Sequence, residues 1–370
     1  MADLSNRSLL DTRRDVALFV DRERELEALR DSVKRRFNTL VLGPPGSGKS
    51  SLLMRLVYEL RQEQKTPLLV IDGAVASDAV GFLTLLRNRL VHEYGGSEVE
   101  RLTAELAAAQ ESARAESEAG ENLTEQYGRV GRFRDVGPAG SDRSSAGTET
   151  MVELVYELQR RAREFKLTPV VVVDGVASAE VAHDLFGRLR DELWRLGFVW
   201  LVAADSSLRP AFQEPPADAF FDVTIELGPL PDGRASELLS VRDRENELRD
   251  DVREAIVQAA KGSPRRLLGL ARQALAGKSA EAILREAQLV ERVGDEVGES
   301  AKRLVDELMV VGGASASDEE LLRRLGWSRM RAQQVLAQLE DAGFVEVVGQ
   351  RNGARGRPRK VYGLKSEAAQ

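Results

Sequence analysis

The chain has 370 residues, of which 42% are hydrophobic and 31% charged, and its net charge is −7. This composition is typical of a soluble globular protein, and the length predicts two or three domains. The absence of cysteine excludes disulfides, thiolate nucleophiles and cysteine metal sites, and the presence of only two histidines argues against a histidine-based metal or triad centre. The sequence contains neither a transmembrane-length apolar run nor a signal-peptide pattern, so we expect a cytoplasmic protein with no membrane partner.

A glycine-rich loop follows the first apolar segment. Residues 40–42 predict a short strand, residues 43–50 have the pattern Gly-x-x-x-x-Gly-Lys-Ser, and residues 51–61 predict a helix. Glycines let backbone N–H groups turn inward, and with a helix N-terminus they form a nest for phosphate oxygens. In such a loop Lys49 reaches the β- and γ-phosphates, and the hydroxyl of Ser50 ligates Mg²⁺. The predicted residues of this ATP and Mg²⁺ site are Pro44, Pro45, Gly46, Ser47, Gly48, Lys49, Ser50 and Ser51.

Five apolar segments separated by helical patterns predict a parallel sheet. The segments are residues 40–42, 67–72, 168–175, 198–205 and 221–227. Strands that are hydrophobic throughout have both faces covered by helices, which is typical of a doubly wound parallel sheet. We therefore predict an α/β fold of the P-loop type, with the five-stranded sheet in a core at residues 19–230.

Two segments fall outside this alternation. Residues 1–18 are polar, which favours a flexible N-terminus. Residues 97–149 form an insertion with an Ala- and Glu-rich part, predicted to be helical, and a Gly-, Arg- and Ser-rich part, predicted to be disordered. The insertion is either a partner-binding element or a tolerated excursion on the surface.

The C-terminal part of the chain is predicted to be helical and to end in a hairpin. Residues 231–295 have helical patterns only and predict a lid over the core. Residues 296–366 contain three helical patterns, the second opened by a capping box at residues 317–320, and then two short strands with a basic connection. Three helices and such a hairpin form a winged helix-turn-helix.

ATP hydrolysis needs a further acid to hold Mg²⁺ through water. Asp174 ends a strand that we expect to lie beside the phosphate loop, whereas Asp72 ends the first strand after the loop helix. In a doubly wound sheet the latter strand is usually remote from the phosphates. We therefore predict that Ser50 and Asp174 hold Mg²⁺, with Asp72 as the alternative acid.

The chain resembles the AAA+ superfamily, in particular its origin-recognition initiators and their signalling relatives of the STAND type. The resemblance covers residues 19–93 and 151–275 and the terminal winged helix. It is carried by the segment 19–25, the loop 43–50, Asp174, and the lid sequence Gly262-Ser263-Pro264-Arg265. It implies that the segment around Arg22 lies on the adenine side of the nucleotide, whereas spacing alone fits a plain amphipathic first helix equally well.

The resemblance also implies roles for single residues. It implies that Arg265 contacts the γ-phosphate and couples nucleotide state to lid position, with capping of the lid helix or pairing with a surface acid as the alternatives. Asp205 or Ser206 is expected to sense the γ-phosphate, and Arg209 is considered as an arginine supplied to a neighbouring subunit. The family usually has a water-positioning acid directly after the Mg²⁺-binding acid, and Gly175 stands in that place. Because such a group contributes about 10²–10⁴-fold, we expect slow hydrolysis or binding used as a switch.

Basic residues concentrate at both DNA-contacting parts of the predicted winged helix. Residues 301–370 contain twelve Lys and Arg against nine Asp and Glu, in a chain that is acidic as a whole. The third helix would enter a major groove, and arginines of the wing would bind the phosphate backbone or the minor groove. The predicted DNA-binding residues are Arg329, Arg331, Gln333, Gln334, Arg351, Arg355, Arg357, Arg359 and Lys360. Winged helices also dock proteins, and in that case these residues form a solvated face.

The sequence thus predicts an ATP-controlled DNA-binding protein. Its predicted catalytic residues are Lys49, Asp174, Asp205 and Arg265. Nucleotide state would set the position of the winged helix or the assembly of subunits, and any enzymatic activity would be slow ATP hydrolysis. The alternative is a STAND-like signalling or defence switch whose winged helix binds its own core or another protein.

Overall fold

The computed structural model describes residues 4–5, 7–64, 66–95, 142–166, 168–351 and 359–365. Most of the predicted insertion at 97–149 therefore lies outside the described residues. Its last part belongs to a helix, Asp142–Glu164. None of the helices in the described ranges is both long and apolar enough to cross a lipid bilayer.

A five-stranded sheet forms the centre of the N-terminal half. Its strands are β1 (Thr39–Gly43), β2 (Leu68–Ile71), β3 (Val170–Asp174), β4 (Val199–Asp205) and β5 (Val223–Glu226). They lie in the order β2-β3-β4-β1-β5, and all neighbouring strands are parallel. The predicted parallel five-stranded sheet is confirmed.

Helices cover both faces of this sheet. They are α1 (Arg13–Val16), α2 (Glu23–Arg35), α3 (Lys49–Glu63), α4 (Ala79–Tyr94), α5 (Asp142–Glu164), α6 (Ala179–Ala182) with a π-helical turn (His183–Arg188), α7 (Arg190–Arg195) and α8 (Arg209–Gln213). Side chains alternate between the faces along a strand. Val41 accordingly lies in one core with Leu52 of α3, and Leu42 lies in another with Phe82 of α4. Two buried faces explain why β1 to β4 are mostly apolar, whereas the edge strand β5 alternates, with Thr224 and Glu226 exposed.

The described residues of the N-terminus are packed against the core. Leu9 and Leu18 are buried, and the backbone N–H of Leu9 donates a 3.2 Å hydrogen bond to the hydroxyl of Ser51 in α3. Asp15 is also buried and accepts a hydrogen bond from Arg7. For residues 7–18 the expectation of a flexible segment is wrong, because two leucines and an ion pair are spaced so that they contact the start of the core.

The second half of the chain is mostly helical. It contains α9 (Asp232–Arg242), α10 (Asp250–Ala260), α11 (Pro264–Leu275), α12 (Ala280–Glu296), α13 (Glu299–Val311), α14 (Glu319–Leu325) and α15 (Arg329–Asp341), and the antiparallel strands β6 (Val345–Arg351) and β7 (Arg359–Leu364). Ala314 adds a bridge to Tyr362 of β7. We call α9–α12 the lid, and residues 299–365 the C-terminal module. The module has the order of elements predicted for a winged helix-turn-helix.

The lid and the C-terminal module share one hydrophobic core. Leu267 and Val290 of the lid belong to the same buried cluster as Leu308 and Leu336 of the module. Gly269 of α11 packs closely against α13 of the module, and an added Cβ on Gly269 would lie 2.8 Å from a methyl group of Val310. The predicted domain boundary near residue 296 therefore falls between two helices, α12 and α13, but one hydrophobic core extends across it.

Candidate nucleotide-binding site

The loop between β1 and α3 forms an open cradle. Gly46 and Gly48 have φ angles of 77° and 97°, a left-handed conformation that glycine adopts without strain. An added Cβ on Gly48 would meet no described atom within 4 Å. The hydroxyl of Ser47 is buried and has no hydrogen-bond partner among the described residues. Inward-turned backbone, open space and an unsatisfied donor together fit a bound phosphate.

Lys49 extends back over this cradle. Its ammonium donates hydrogen bonds to the carbonyl oxygens of Gly43 and Pro44, at 2.7 and 3.0 Å. Burial lowers the pKa of Lys49, while the carboxylates of Asp205 and Asp174 act in the opposite direction. A phosphate beside this ammonium would favour its charged form, so the position suits a cation that neutralises a polyphosphate.

Ser50 and Asp174 are brought together across the sheet. The hydroxyl of Ser50 donates a 2.7 Å hydrogen bond to Oδ1 of Asp174. In the sheet, β4 lies between β1 and β3, the strand that ends at Asp174. The first turn of α3 nevertheless reaches Asp174, since it starts above the carboxyl ends of these strands. A hydroxyl and a carboxylate in contact are the oxygen ligands that suit Mg²⁺ held together with phosphates.

The electrostatics of Asp174 are dominated by its burial. Burial raises the pKa of this carboxyl, the hydrogen bond from Ser50 lowers it, the charge of Asp72 raises it and Lys49 lowers it. Asp72, the alternative acid, is exposed, and its carboxylate accepts a 3.1 Å hydrogen bond from the N–H of Ala74. Of the two acids, Asp174 is the one in contact with the loop helix, and its desolvated charge favours a cation nearby.

A cavity of about 510 Å³ opens at the loop, within the range of small-molecule sites. Four parts of the chain line it: the N-terminal segment, the loop, the lid and the C-terminal module. The predicted residues that line it are Arg22, Pro45, Gly46, Ser47, Gly48, Lys49, Ser50, Ser51, Asp205 and Arg265. Sequence reasoning missed the lining residues Arg7, Leu9, Leu18, Arg242, Arg323 and Arg324, because no motif marks them and only the fold brings them here.

Arg22 lies at one wall of the cavity. It is buried, has a left-handed backbone (φ 73°) and precedes the first turn of α2. Its guanidinium donates to the carbonyl oxygen of Gly228 and, at 3.1 Å, to the carboxylate of Glu25. These bonds hold the start of α2 against the segment that leads from β5 into the lid.

Arg265 connects the lid to the loop. Its backbone N–H lies 3.4 Å from the carbonyl oxygen of Gly46, and an added Cβ on Gly46 would lie 2.7 Å from Cβ of Arg265. Its guanidinium forms a bidentate pair with Glu307 of the C-terminal module, with Nη1 and Oε1 at 2.6 Å. Of the two alternatives, capping is not observed, because the side chain of Ser263 caps α11. Pairing with an acid is observed, although that acid, Glu307, is largely buried.

Asp205 and Arg209 lie at the end of β4. Asp205 is in register with Gly43 of β1, lines the cavity, and accepts a 2.9 Å hydrogen bond from the N–H of Ser207. Ser206 begins the short turn that follows. Arg209 is ion-paired with Glu226 of β5. Asp205 is thus placed beside the loop as expected, and Arg209 is engaged within its own chain.

The family of the chain follows from its sequence. The model of the AAA ATPase domain matches residues 18–202, which is half of the chain. The chain belongs to the AAA ATPase domain family. No curated protein sequence matches it.

Three solved structures similar to this AAA ATPase protein come from archaea, and all have low sequence identity. The Orc1 protein of Aeropyrum pernix, solved in complex with DNA, is 16% identical, with 96% of this chain and 92% of that chain covered and a TM-score of 0.46. Cdc6p of Pyrobaculum aerophilum is 14% identical, with 95% of this chain and 93% of that chain covered and a TM-score of 0.45. The Walker-type ATPase paby2304 of Pyrococcus abyssi is 15% identical, with 98% of this chain and 96% of that chain covered and a TM-score of 0.48.

This AAA ATPase protein has glycine at the place of the water-positioning acid. Gly175 directly follows Asp174 and has a φ of 92°. An added Cβ would lie 3.1 Å from Cβ of Ala74, closer than an ordinary van der Waals contact. Both the backbone conformation and the neighbour disfavour a side chain here.

The basic residues predicted for DNA are exposed where the structure describes them. Arg329, Arg331, Gln333, Gln334, Arg359 and Lys360 all lie on the surface of the AAA ATPase protein. Arg331 lies 5.8 Å from the ring centroid of Trp327, and Lys360 lies 3.5 Å from Glu340. Arg355 and Arg357, and the side chain of Arg351, lie outside the described residues.

Proposed function

We propose that this protein is an ATP-dependent switch that controls DNA binding through its C-terminal module. The observation that carries the proposal is the cavity at the phosphate loop, since residues of the core, the lid and the module line it together. A ligand that fills a cavity between core, lid and module stabilises the arrangement of the three that it binds most tightly. The stabilisation equals the difference between its binding free energies for that arrangement and for the others. The common core of lid and module means that a displacement of the lid is passed to the module.

ATP with Mg²⁺ is the ligand that the residues fit best. The loop supplies backbone N–H groups and the buried hydroxyl of Ser47 to phosphate oxygens, and Lys49 supplies a positive charge. Ser50 and Asp174 would hold Mg²⁺, which neutralises charge on the phosphates when it is bound. Arg22 and Leu18 would enclose the nucleoside end of the cavity.

Hydrolysis is proposed to be slow. Asp205 and Arg265 line the cavity and would contact the terminal phosphate, but the place after Asp174 holds Gly175 and therefore no carboxylate to position water. Loss of such a group costs about 10²–10⁴-fold in rate. Slow turnover suits a protein that remains in the ATP state long enough to act as a switch.

The exposed side chains of the module favour DNA as its partner. Arg329 and Arg331 lie in the first turn of α15, and Arg359 and Lys360 lie at the start of β7. Arginine and lysine at a helix start and along a hairpin are the groups that contact bases and backbone in winged-helix complexes. A cytoplasmic location belongs to the same proposal.

The test is DNA affinity as a function of nucleotide. Fluorescence anisotropy with a random-sequence duplex compares the full chain with ATP, with ADP and without nucleotide, at two salt concentrations. We expect at least about a fivefold difference between nucleotide states, which Lys49→Ala abolishes and Lys34→Ala, at an exposed site of α2, retains. Equal affinity in all three states would overturn the proposal.

A second candidate function is a STAND-like switch whose C-terminal module binds its own core or another protein. One observation favours it: Glu320, Arg323 and Arg324 of the module line the nucleotide cavity, so the module is docked on the ATPase core. This function predicts no salt-dependent DNA binding. Light scattering would instead find an oligomer that forms with one nucleotide state and not with the other.

A further inference from the structure

One carboxylate of the C-terminal module is shared by two arginines from different helices. Glu307 of α13 accepts hydrogen bonds from Arg265 of α11, and its Oε2 lies 3.7 Å from Nη1 of Arg324 in α14. The exposed fractions of these side chains are 11% for Glu307, 13% for Arg265 and 24% for Arg324. The three groups therefore interact with little screening by solvent.

Positive charge exceeds negative charge around this carboxylate. Arg272 lies in the same cluster, since burial lowers its pKa and the neighbouring charges of Arg324 and Arg265 lower it further. Glu320 pairs with Arg324 from within the same helix. The other nearby acid of α13, Asp306, lies 2.8 Å from Arg266 and is engaged there. Among the described residues, Arg265 and Arg324 thus share Glu307, and Arg323 and Arg324 share the half-exposed Glu320.

This cluster opens into the nucleotide cavity. Arg265, Arg323 and Arg324 line the same cavity as Gly46 and Lys49, and so does Glu320, whereas Glu307 is not among the lining residues. The aliphatic part of Arg265 contacts Gly46 of the phosphate loop. A phosphate entering the cavity therefore meets guanidinium groups that carboxylates already bind. Phosphate and carboxylate both bind the planar fork of arginine in bidentate geometry, and phosphate carries more charge.

We propose that Arg324 is a second phosphate-binding arginine of this site, supplied by the C-terminal module. Glu307 is the carboxylate that holds Arg265 and Arg324 together when no phosphate does. The terminal phosphate of a nucleoside triphosphate takes over both arginines from Glu307 and thereby links loop, lid and module directly. This inference rests on the nucleotide binding proposed above and adds a residue that the predicted site does not contain.

Titration calorimetry with ATP, ADP and AMP in the presence of Mg²⁺ tests the role of Arg324. We expect Arg324→Ala to weaken ATP binding about tenfold, as for loss of one charge-assisted contact, to weaken ADP less and to leave AMP unchanged. The matched control is Arg303→Ala, in the helix of Glu307 and away from the cavity. Should Arg324→Ala fail to fold, Arg324→Lys gives the same answer, with a smaller loss because charge remains and the fork is absent. ATP affinity equal to wild type in the folded variant would overturn the inference.

The competition by Glu307 has its own readout. Glu307→Gln leaves the arginines without their carboxylate, so we expect a lower melting temperature without nucleotide, a larger upward shift on adding ATP, and tighter ATP binding than in wild type. A merely structural glutamate would lower the melting temperature and leave the ATP-induced shift unchanged, which would overturn the inference. If wild type binds no ATP, the proposed function fails as well. If wild type binds and Lys49→Ala does not, while the Arg324 and Glu307 variants match wild type, this inference fails alone.

Discussion

The hydroxyl of Ser50 donates a 2.7 Å hydrogen bond to the carboxylate of Asp174, although 124 residues separate the two in sequence. Strand β4 lies between β1, which leads into the phosphate loop, and β3, which ends at Asp174. The contact is therefore made above the sheet and not within it. It joins the start of the loop helix to the edge of the sheet where the cavity opens. The contact makes Asp174 the acid to test first.

Asp174→Asn should stabilise the protein without nucleotide. Burial raises the pKa of this carboxyl above its ordinary value of 3.8. For such a group stability is greatest below the unfolded pKa and falls as pH rises through the folded pKa, so at pH 7 the charge is unfavourable. We expect a higher melting temperature for Asp174→Asn at pH 7, a smaller difference at pH 4, and weaker Mg²⁺-dependent ATP binding. Calorimetry measures both properties.

Asp72→Asn is the matched control for that experiment. The amide oxygen can still accept the hydrogen bond that the carboxylate now accepts from the N–H of Ala74, so local structure is retained. We expect Mg²⁺-dependent ATP binding to remain within a factor of two or so of wild type. Loss of binding in Asp72→Asn with normal binding in Asp174→Asn would reverse the assignment.

Substitution of Gly175 should be unfavourable even when it supplies the missing acid. Its φ of 92° and the 3.1 Å approach of an added Cβ to Ala74 predict a loss of about 1–3 kcal/mol for Gly175→Ala in urea unfolding. Gly197→Ala is the control, because Gly197 has a φ of 68° but no described atom within 4 Å of an added Cβ, and we expect a smaller loss. Gly175→Glu should not raise ATP turnover; an increase of about 10²-fold or more would contradict this reasoning.

Glu291 should stabilise the contact between lid and module only above acidic pH. Hydrogen bonds from Lys261 and Lys302 lower its pKa to about 2 from 4.5. The stabilisation is present above pH 4.5 and is lost as pH falls toward 2. Since 40% of the side chain is exposed, Glu291→Gln should cost only about 0.5–1 kcal/mol at pH 7.

Urea unfolding from pH 7 to pH 2 measures this difference, with Glu296→Gln in the same helix as the control. The two curves for wild type and Glu291→Gln should converge at the acidic end. A difference that is constant over this range would mean that the glutamate acts by packing and not by charge.

Two neighbouring leucines of the N-terminal segment should respond very differently to truncation. Leu9 is 6% exposed and lines the cavity, whereas Leu10 is 51% exposed. We expect Leu9→Ala to cost about 2–4 kcal/mol and to weaken ATP binding, and Leu10→Ala to change stability by less than about 0.5 kcal/mol. Thermal unfolding and calorimetry check both. Equal effects of the two variants would show that residues 7–18 are not packed on the core in solution.

Local patterns in the sequence were sufficient for the elements of the fold and for the phosphate loop. Segments rich in apolar residues predicted the five strands, and the spacing of Gly43, Gly48 and Lys49 defined the loop because a phosphate nest needs those residue types in that order. The order of the strands was not predictable from such runs, since continuous hydrophobicity does not say which strand is a neighbour. Only the structure places β4 between β1 and β3, the strand of Asp174.

The features of the site that the sequence did not predict depend on contacts between segments that are distant in the chain. The partner of Arg265 is Glu307, 42 residues later, and a helical glutamate among other charged residues has no pattern that marks it. The same holds for Arg324 and for Leu9. They line the cavity only because the fold brings the N-terminal segment, the core, the lid and the C-terminal module together there. Helical periodicity also cannot tell that lid and module share a core, because each helix shows only one apolar face.

The most direct test of the whole account is the distance between core and C-terminal module with and without ATP. The chain has no cysteine, so spin labels on Lys34→Cys in α2 and Gln338→Cys in α15 give one defined pair. The account predicts that Mg²⁺ and ATP change the distance distribution measured by pulsed electron resonance, and that Lys49→Ala removes this change. Identical distributions with and without ATP, in a protein shown by calorimetry to have bound it, would contradict the account.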